Sequence, residues 1–333
     1  MNVLVTGAAG YVGSVCSEVL IAQGHHLIAL DNLVEGHRAA VPLGCDFHVC
    51  DLFDTDRLNQ IFRASEIHAV MHFAAEALVE KSVREPSTFY FANVAGGIHL
   101  LDAMMRHGVK KIVFSSSAAV YGEPKQMPIP ENHPKNPINP YGQTKWLFET
   151  ILADYARYAG LKHVSLRYFN AAGASEQRGE AHRTETHVIP KILEAASGVI
   201  PKFEIRGTDY ATPDGTCVRD YVHVLDIAEA HVRALLQIER VSGEAFNVGN
   251  SRGYSIREVV ETARRVTGLP IPAAEGPRRP GDPAILVADA TKLRGTLGWD
   301  PRYSSLESIL STAWKWKKTH PGGYPESESG AKH

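Results

Sequence analysis

The sequence predicts an α/β protein built on a doubly wound parallel sheet with a smaller C-terminal α/β lobe, and three observations carry that expectation. Short apolar runs alternate with longer stretches of helical periodicity, a glycine-rich turn joins the first run to the first helix, and the alternation breaks up beyond Asn170. Strands that alternate with helices of ten or more residues call for right-handed crossovers, which cover both faces of a parallel sheet with helices. The strand signals are Val3 to Val5, Leu27 to Leu30, Ala69 to Phe73, Lys111 to Ser115 and Val164 to Tyr168.

Between the first strand and the first helix runs Thr6-Gly7-Ala8-Ala9-Gly10-Tyr11-Val12-Gly13. Glycines at Gly7, Gly10 and Gly13 allow a tight turn and a close backbone approach to a pyrophosphate, whose charge the helix N-terminus favours. A glycine trio alone is often only a turn; here the strand before it and the helix after it give the pattern its meaning. The second strand ends in Asp31, where a carboxylate accepts both hydroxyls of a ribose and repels a 2'-phosphate, so the expected cofactor is NAD rather than NADP. His37 and Arg38 lie a few residues further on and weaken, without removing, the NADP alternative.

The strand from Lys111 runs into Ser115-Ser116-Ser117, which puts Ser117 at its C-terminal end, where open parallel sheets hold their ligands. Asn139-Pro140 reads as a turn, and Trp146 to Tyr158 carries apolar residues at helical spacing. Tyr141 and Lys145 then stack on one face of the first turns of that helix. A free tyrosine titrates near ~10, and moving it to about 7 takes roughly 4 kcal/mol, which a nearby ammonium in a partly dry cleft can supply. Tyr141 is the expected general base, Lys145 its tuning cation, and Ser117 a proton relay between substrate and Tyr141.

Beyond Asn170 come a polar stretch, Ala174 to Thr186, and segments rich in Gly and Pro at Gly207 to Gly215 and Gly276 to Pro283. His223 to Gln237 and Ala245 to Val248 read again as a buried helix and strand, so the chain is expected to return to the first unit. The expected division is residues 1–170, rejoined by about 223–250, for the cofactor domain, with 171–222 and 251–325 for the substrate lobe. The polar chain after Gly322 is expected to be loose, with 326–333 as a flexible tail.

Composition excludes several classes of function. With 333 residues, 44% of them hydrophobic, and a net charge of -2, the chain buries a large core and has no basic footprint for nucleic acid or an anionic membrane. Cys16, Cys45, Cys50 and Cys217 show no paired spacing, and no apolar stretch reaches the ~18 residues of a membrane span, so a cytoplasmic protein is expected. His72 and His223 lie in apolar strand patterns and read as core histidines, the other histidines give no metal-ligand spacing, and no metal is expected.

Gly7 to Gly13, Asp31-Asn32-Leu33, Asp51-Leu52, His72 to Ala75, Ser115 to Gly122, Tyr141 to Lys145, Arg167 to Asn170 and Val218 to His223 resemble the extended short-chain dehydrogenase/reductase family over nearly the whole chain. Asp209-Tyr210 and Pro213 to Thr216 make the last group look particularly like the branch that epimerises UDP-sugars at C4. The resemblance implies a Rossmann-type NAD site formed by Gly7, Gly10, Tyr11, Val12, Gly13, Asp31, Asn32, Asp51, Leu52, Phe73, Ala74, Ala75, Asn93, Ser115, Tyr141, Lys145 and Phe169. Asp51 and Leu52 would flank the adenine and Phe169 would approach the nicotinamide. It implies that Ser117, Tyr141, Asn170, Arg219, Arg279, Asp282 and Leu286 hold a UDP-hexose, oxidised transiently to a 4-keto sugar and reduced from the opposite face. A homodimer through helices near Pro86 to His107 and Tyr141 to Tyr158 is implied in the same way.

Alternatives stay open at this point: an N-acetylated or pentose UDP-sugar, a dehydrogenase that releases its product, or a non-catalytic NAD sensor. Ala118 and Ala119 stand where related 4,6-dehydratases carry Asp-Glu, which disfavours dehydration. Arg206 stands where the family often has an aromatic near the uracil, and Ala77 where some members have a lysine near the cofactor diphosphate.

Overall fold

The structure, a computed structural model, describes residues 1–279 and 282–325. Its framework is a seven-stranded, fully parallel sheet in the order β10-β6-β5-β4-β1-β2-β3. The strands are β1 (Asn2–Thr6), β2 (His26–Asp31), β3 (Asp46–Val49), β4 (Ala69–His72), β5 (Lys111–Ser117), β6 (Lys162–Tyr168) and β10 (Glu244–Val248). Alternation along each strand sends successive side chains into two separate cores. Val3, Val5, Leu27 and Val113 pack with the helices Tyr11–Ala22 and Val224–Leu236. Leu4, Ile28, Val70 and Ile112 pack with the helices Thr55–Ala64, Gly96–Arg106 and Pro140–Ala159.

Chain order reverses between β1 and β4, because β2 lies on one side of β1 and β4 on the other. The crevice above the strand C-termini at such a reversal is where open α/β sheets bind ligands. The strand β3, which the sequence pattern did not reveal, is a half-exposed edge of only four residues. Its single aromatic, Phe47, gives too little alternation to read.

Four shorter strands make the second sheet: β7 (Asn170–Ala172), β9 (Val218–His223), β11 (Gly253–Ser255) and β13 (Ile285–Leu286), with β9 pairing to the other three. A two-stranded ribbon joins β8 (Phe203–Arg206) to β12 (Ala273–Gly276). The helices Val188–Ala196, Ile256–Thr267 and Leu306–Thr319 close a third core around Ile192, Val259 and Ile309. Ser255 and Glu258 form a capping box that starts the middle helix of these three.

His72 is fully buried against Thr6 Oγ1 at 2.7 Å, and burial pushes its pKa down to about 3. His223 accepts the Leu225 amide and meets Thr312 Oγ1 at 2.9 Å, so both behave as core histidines. The expectation of loose chain after Gly322 fails at Tyr324, which is buried against Trp316 and bonds to Gly179. The expected tail, 326–333, lies outside the described residues. No helix among the described residues is long and apolar enough to cross a membrane.

Candidate active site

The glycine turn owes its shape to contacts that no side chain could share. Gly7 has φ +73, and a Cβ there would stand 2.6 Å from the Ala74 amide nitrogen; one on Gly13 would stand 2.1 Å from the Gly7 carbonyl oxygen. The turn therefore sits directly on the chain leaving β4, and the helix starts with its first amides facing the crevice. Tyr11 and Val12 point away from it: the Tyr11 hydroxyl donates to the Gly173 carbonyl at 2.6 Å, and Val12 packs on the core.

A cavity of about 490 Å³ opens over these elements, lined by Gly7, Gly10, Asp31, Asn32, Asp51, Leu52, Phe73, Ala74 and Ala75 among others. Asp31 accepts the Ala9 amide on one oxygen (3.0 Å) and the Leu33 amide on the other (2.8 Å), which leaves each oxygen a second lone pair. Burial raises its pKa and the two amide bonds oppose that rise. Asn32 donates to Asp51 at 2.7 Å, and Asp51 also accepts the Phe53 amide at 2.9 Å. Glycine cradle, ribose-directed carboxylate and mostly apolar cavity fit an adenine dinucleotide. Asn93 is committed elsewhere: it exchanges bonds with the Glu76 backbone at 2.8 and 3.0 Å and donates to Thr144 Oγ1 at 3.0 Å. It lies in a short π-helical turn, Phe91–Ala95, and braces the cavity wall to the helix Pro140–Ala159.

That helix begins where Asn139 caps it by accepting the Gly142 amide at 2.8 Å, with Pro140 as its first residue. Tyr141 and Lys145 fall one turn apart, and the Lys145 ammonium lies 5.8 Å from the Tyr141 ring centre. Ser117 closes β5 beside the Tyr141 side chain and accepts the Ala119 amide at 3.2 Å. Lys145 donates to the Ser115 carbonyl at 2.9 Å, and burial holds its pKa down at about 7, partly opposed by the Glu149 carboxylate. The electrostatics differ from the sequence expectation at Tyr141. Burial raises the phenol pKa, and the Ser117 hydroxyl opposes that rise.

Beneath these residues lies a buried network that sequence reasoning missed. Glu149 accepts a 2.5 Å bond from Ser116 Oγ and a two-pronged ion pair from Arg167 at 3.0 and 2.6 Å. Arg167 also donates to Tyr121, whose hydroxyl donates to Asn247 at 2.6 Å. The network ties β5, β6, β10 and the Tyr141 helix together. Its one sequence signal was Glu149 standing four residues after Lys145, on the same helical face.

On the far side, Phe169 and Leu286 share an apolar cluster with Ala118, Tyr121 and Trp146. Asn170 opens β7 opposite Tyr221. Arg219, buried on β9, pairs with Asp282 and donates to the Val218 carbonyl at 2.8 Å. Arg279 has a buried Nε with no hydrogen-bond partner among the described residues, which suits an anion. Arg206 is exposed at the end of β8, while Arg278 lies over the Tyr210 ring at 4.3 Å and donates to Asp209. The spacing argument against metal ligands overlooked one group: Glu180, His182, Glu185 and His187 converge.

Comparison with known proteins shows the family and the fold. The NAD dependent epimerase/dehydratase family matches residues 3–249. A UDP-glucose 4-epimerase of Lactobacillus helveticus is 49% identical over 98% of this chain and 100% of its own length. The crystal structure of UDP-glucose 4-epimerase from Brucella ovis in complex with NAD superposes with a TM-score of 0.92 at 45% identity, covering 96% of this chain and 98% of that one. The enzyme from Bifidobacterium longum in complex with NAD+ and UDP gives a TM-score of 0.91 at 35% identity, covering 97% and 100%.

Proposed function

We propose that this chain, which belongs to the NAD dependent epimerase/dehydratase family, interconverts UDP-glucose and UDP-galactose by inverting C4 of the hexose, with NAD as its cofactor. The observation that carries the reading is the Ser117, Tyr141 and Lys145 constellation at the end of β5, next to the strand whose exit residues line the dinucleotide cavity. The parallel-sheet unit, 1–170 with 223–250, is assigned to NAD, and 171–222 with 251–325 to the sugar nucleotide.

NAD, when bound, accepts the C4 hydride and returns it. Tyr141 takes the proton of the 4-hydroxyl, directly or through the Ser117 hydroxyl. Lys145, held at about 7, takes up a proton near neutral pH and balances the phenolate as it forms. Arg219 and the unpartnered Arg279 clamp the diphosphate. A 4-keto sugar turning about its link to that clamp presents its other face, and the proton held by Tyr141 completes the inversion. Ala118 and Ala119 supply no acid for elimination, which supports epimerisation over dehydration.

The exposed Tyr90, within Pro86 to His107, and the exposed Tyr158, at the end of the Pro140–Ala159 helix, support a homodimer through these helices. Sedimentation showing only monomer at micromolar concentration would sink it. The compartment we assign is the cytoplasm, with four unpaired thiols in keeping. The test of the activity is incubation of the purified protein with UDP-galactose, without added NAD, followed through the anomeric proton by NMR. UDP-glucose should appear with no net NADH; NAD binding without any conversion overturns the assignment.

A further inference from the structure

We propose that Glu180, His182, Glu185 and His187 form a binding site for one divalent cation of the zinc class, which would fasten the irregular 174–187 segment beside the cofactor-binding turn. The four residues offer one donor atom each, all within 4.8 Å of one another. Both imidazoles turn their Nδ1 inward. His187 Nδ1 lies 2.9 Å from Glu180 Oε1 and 3.0 Å from Glu185 Oε1, and His182 Nδ1 lies 3.3 Å from Glu180 Oε1 and 3.4 Å from Glu185 Oε2.

The two His182 spacings match a tetrahedral shell, and the two His187 spacings fall slightly inside one. Donors about 2.0–2.2 Å from a zinc ion in that geometry stand roughly 3.3–3.5 Å apart. Protons satisfy the same arrangement poorly. Each Nδ1 carries at most one hydrogen, which cannot point straight at two carboxylates, whereas a central cation meets all four donors at once. Two imidazoles with two carboxylates are also the donor set that borderline divalent cations prefer.

Burial points the same way. The carboxylates of Glu180 and Glu185 are 8% and 9% exposed, and among the described residues neither has a lysine or arginine within ion-pair distance. Glu149, the well-buried carboxylate of the network beneath Tyr141 and Lys145, faces the Arg167 guanidinium instead. His187 remains 45% exposed, and Glu180, His182 and Glu185 line a cavity of about 440 Å³, so an ion has an entry path.

Position gives the site its consequence. The segment has no helix or strand between β7 and Val188. Its Ser175 and Arg178 bond to Glu18 and the Ala40 carbonyl of the cofactor unit, and beside the quartet His37 Nε2 meets the Ala181 carbonyl at 2.6 Å while the His182 ring packs edge-on against Tyr11, which follows the glycine turn. A bound cation would cross-link the part of the segment around 180–187 and hold the His37 and Tyr11 contacts in place. This inference is independent of the activity proposed above.

The test uses the full chain with its NAD, stripped with a chelator, dialysed and titrated with zinc. One equivalent should bind and raise Tm, and cobalt(II) in its place should show the intense visible bands of a tetrahedral site. Glu185→Gln and, separately, His182→Asn should weaken zinc binding by about 100-fold. His26→Asn, on the exposed start of β2, should leave it unchanged, with NAD retention and circular dichroism reporting that each variant folds. No zinc binding by the parent, octahedral cobalt bands, or equal zinc affinity in both ligand variants overturns the proposal. In those outcomes the four residues form a hydrogen-bonded ion quartet, or the metal sits elsewhere among the 16 histidines.

Discussion

The cofactor unit and the sugar-nucleotide unit hold their working groups by different means. In the first, chemistry sits at strand ends: Gly7 follows β1 directly, Asp31 ends β2 and Ser117 ends β5. Their positions are set by a continuous parallel ladder and by backbone bonds such as those from Ala9 and Leu33 to Asp31. In the second, Arg219 lies near the start of β9 while Arg279 and Asp282 lie in irregular chain ahead of β13, and the Arg219–Asp282 contact is made between side chains. A ladder fixes an atom to within its own pleat, whereas a side-chain pair can swing. The rigid half thus suits proton and hydride chemistry, and the softer half suits gripping a diphosphate whose sugar must turn over.

Tyr141→Phe should give the largest effect and test the rigid half. It removes only the hydroxyl from a position already set by the Asn139 cap and the helix, so kcat should fall on the order of 10³-fold while NAD content and Tm stay put. A fall in NAD content of similar size would mean that the tyrosine shapes the site as much as it reacts in it. Asp220→Ala follows, and it probes what holds the softer half together. Asp220 is fully buried and accepts the amides of Asn250 (2.8 Å), Ser251 (3.0 Å) and Ala288 (3.1 Å), so it joins β9 to two loops. Leaving two buried amides and one part-buried amide unpaired should cost about 3 kcal/mol, read as a lower midpoint in urea. An unchanged midpoint would show that the loops are held by something else.

The unequal legibility of the two halves has the same physical origin. Thr6 to Gly13, Asp31 and Ser117 carry their meaning within a few residues of a strand, so local sequence shows both the residue and its place. Arg219 and Asp282 meet only because β13 pairs with β9, a contact across 63 residues that no local pattern encodes. Glu149 has no partner within its own local sequence; only the fold brings Arg167 and Ser116 to it. The convergence of Glu180, His182, Glu185 and His187 was hidden because the segment carrying it has no period to read. At Tyr141 the residue was legible and its electrostatics were not, since burial is a property of the assembled core.

Arg279→Ala should give a smaller effect, confined to binding. Its buried Nε has no partner among the described residues, so removing the side chain disturbs nothing it holds. The KM for UDP-galactose should rise about 10-fold to 100-fold, the value of one or two charge-assisted bonds, with kcat changed little. A loss confined to kcat would contradict the division between a reacting half and a gripping half.

The smallest effect is one of sign. In the folded chain Lys145 has its pKa held down at about 7 from the ordinary 10.5, chiefly by burial. Folding therefore disfavours its proton. The penalty is complete below pH 7, where folded and unfolded chains both carry the charge, and it fades as pH rises from 7 towards 10.5, where only the unfolded chain is protonated. Lys145→Met keeps the length of the side chain and removes the charge. In protein freed of NAD, so that lost cofactor affinity does not enter, the variant should melt a few degrees above the parent at pH 6.5, and the gap should narrow by pH 9. A gap that widens with pH would mean that the buried ammonium stabilises the fold through the Ser115 carbonyl and Glu149. The reacting half would then hold its lysine at no expense to stability, and the contrast in rigidity would lose its energetic basis.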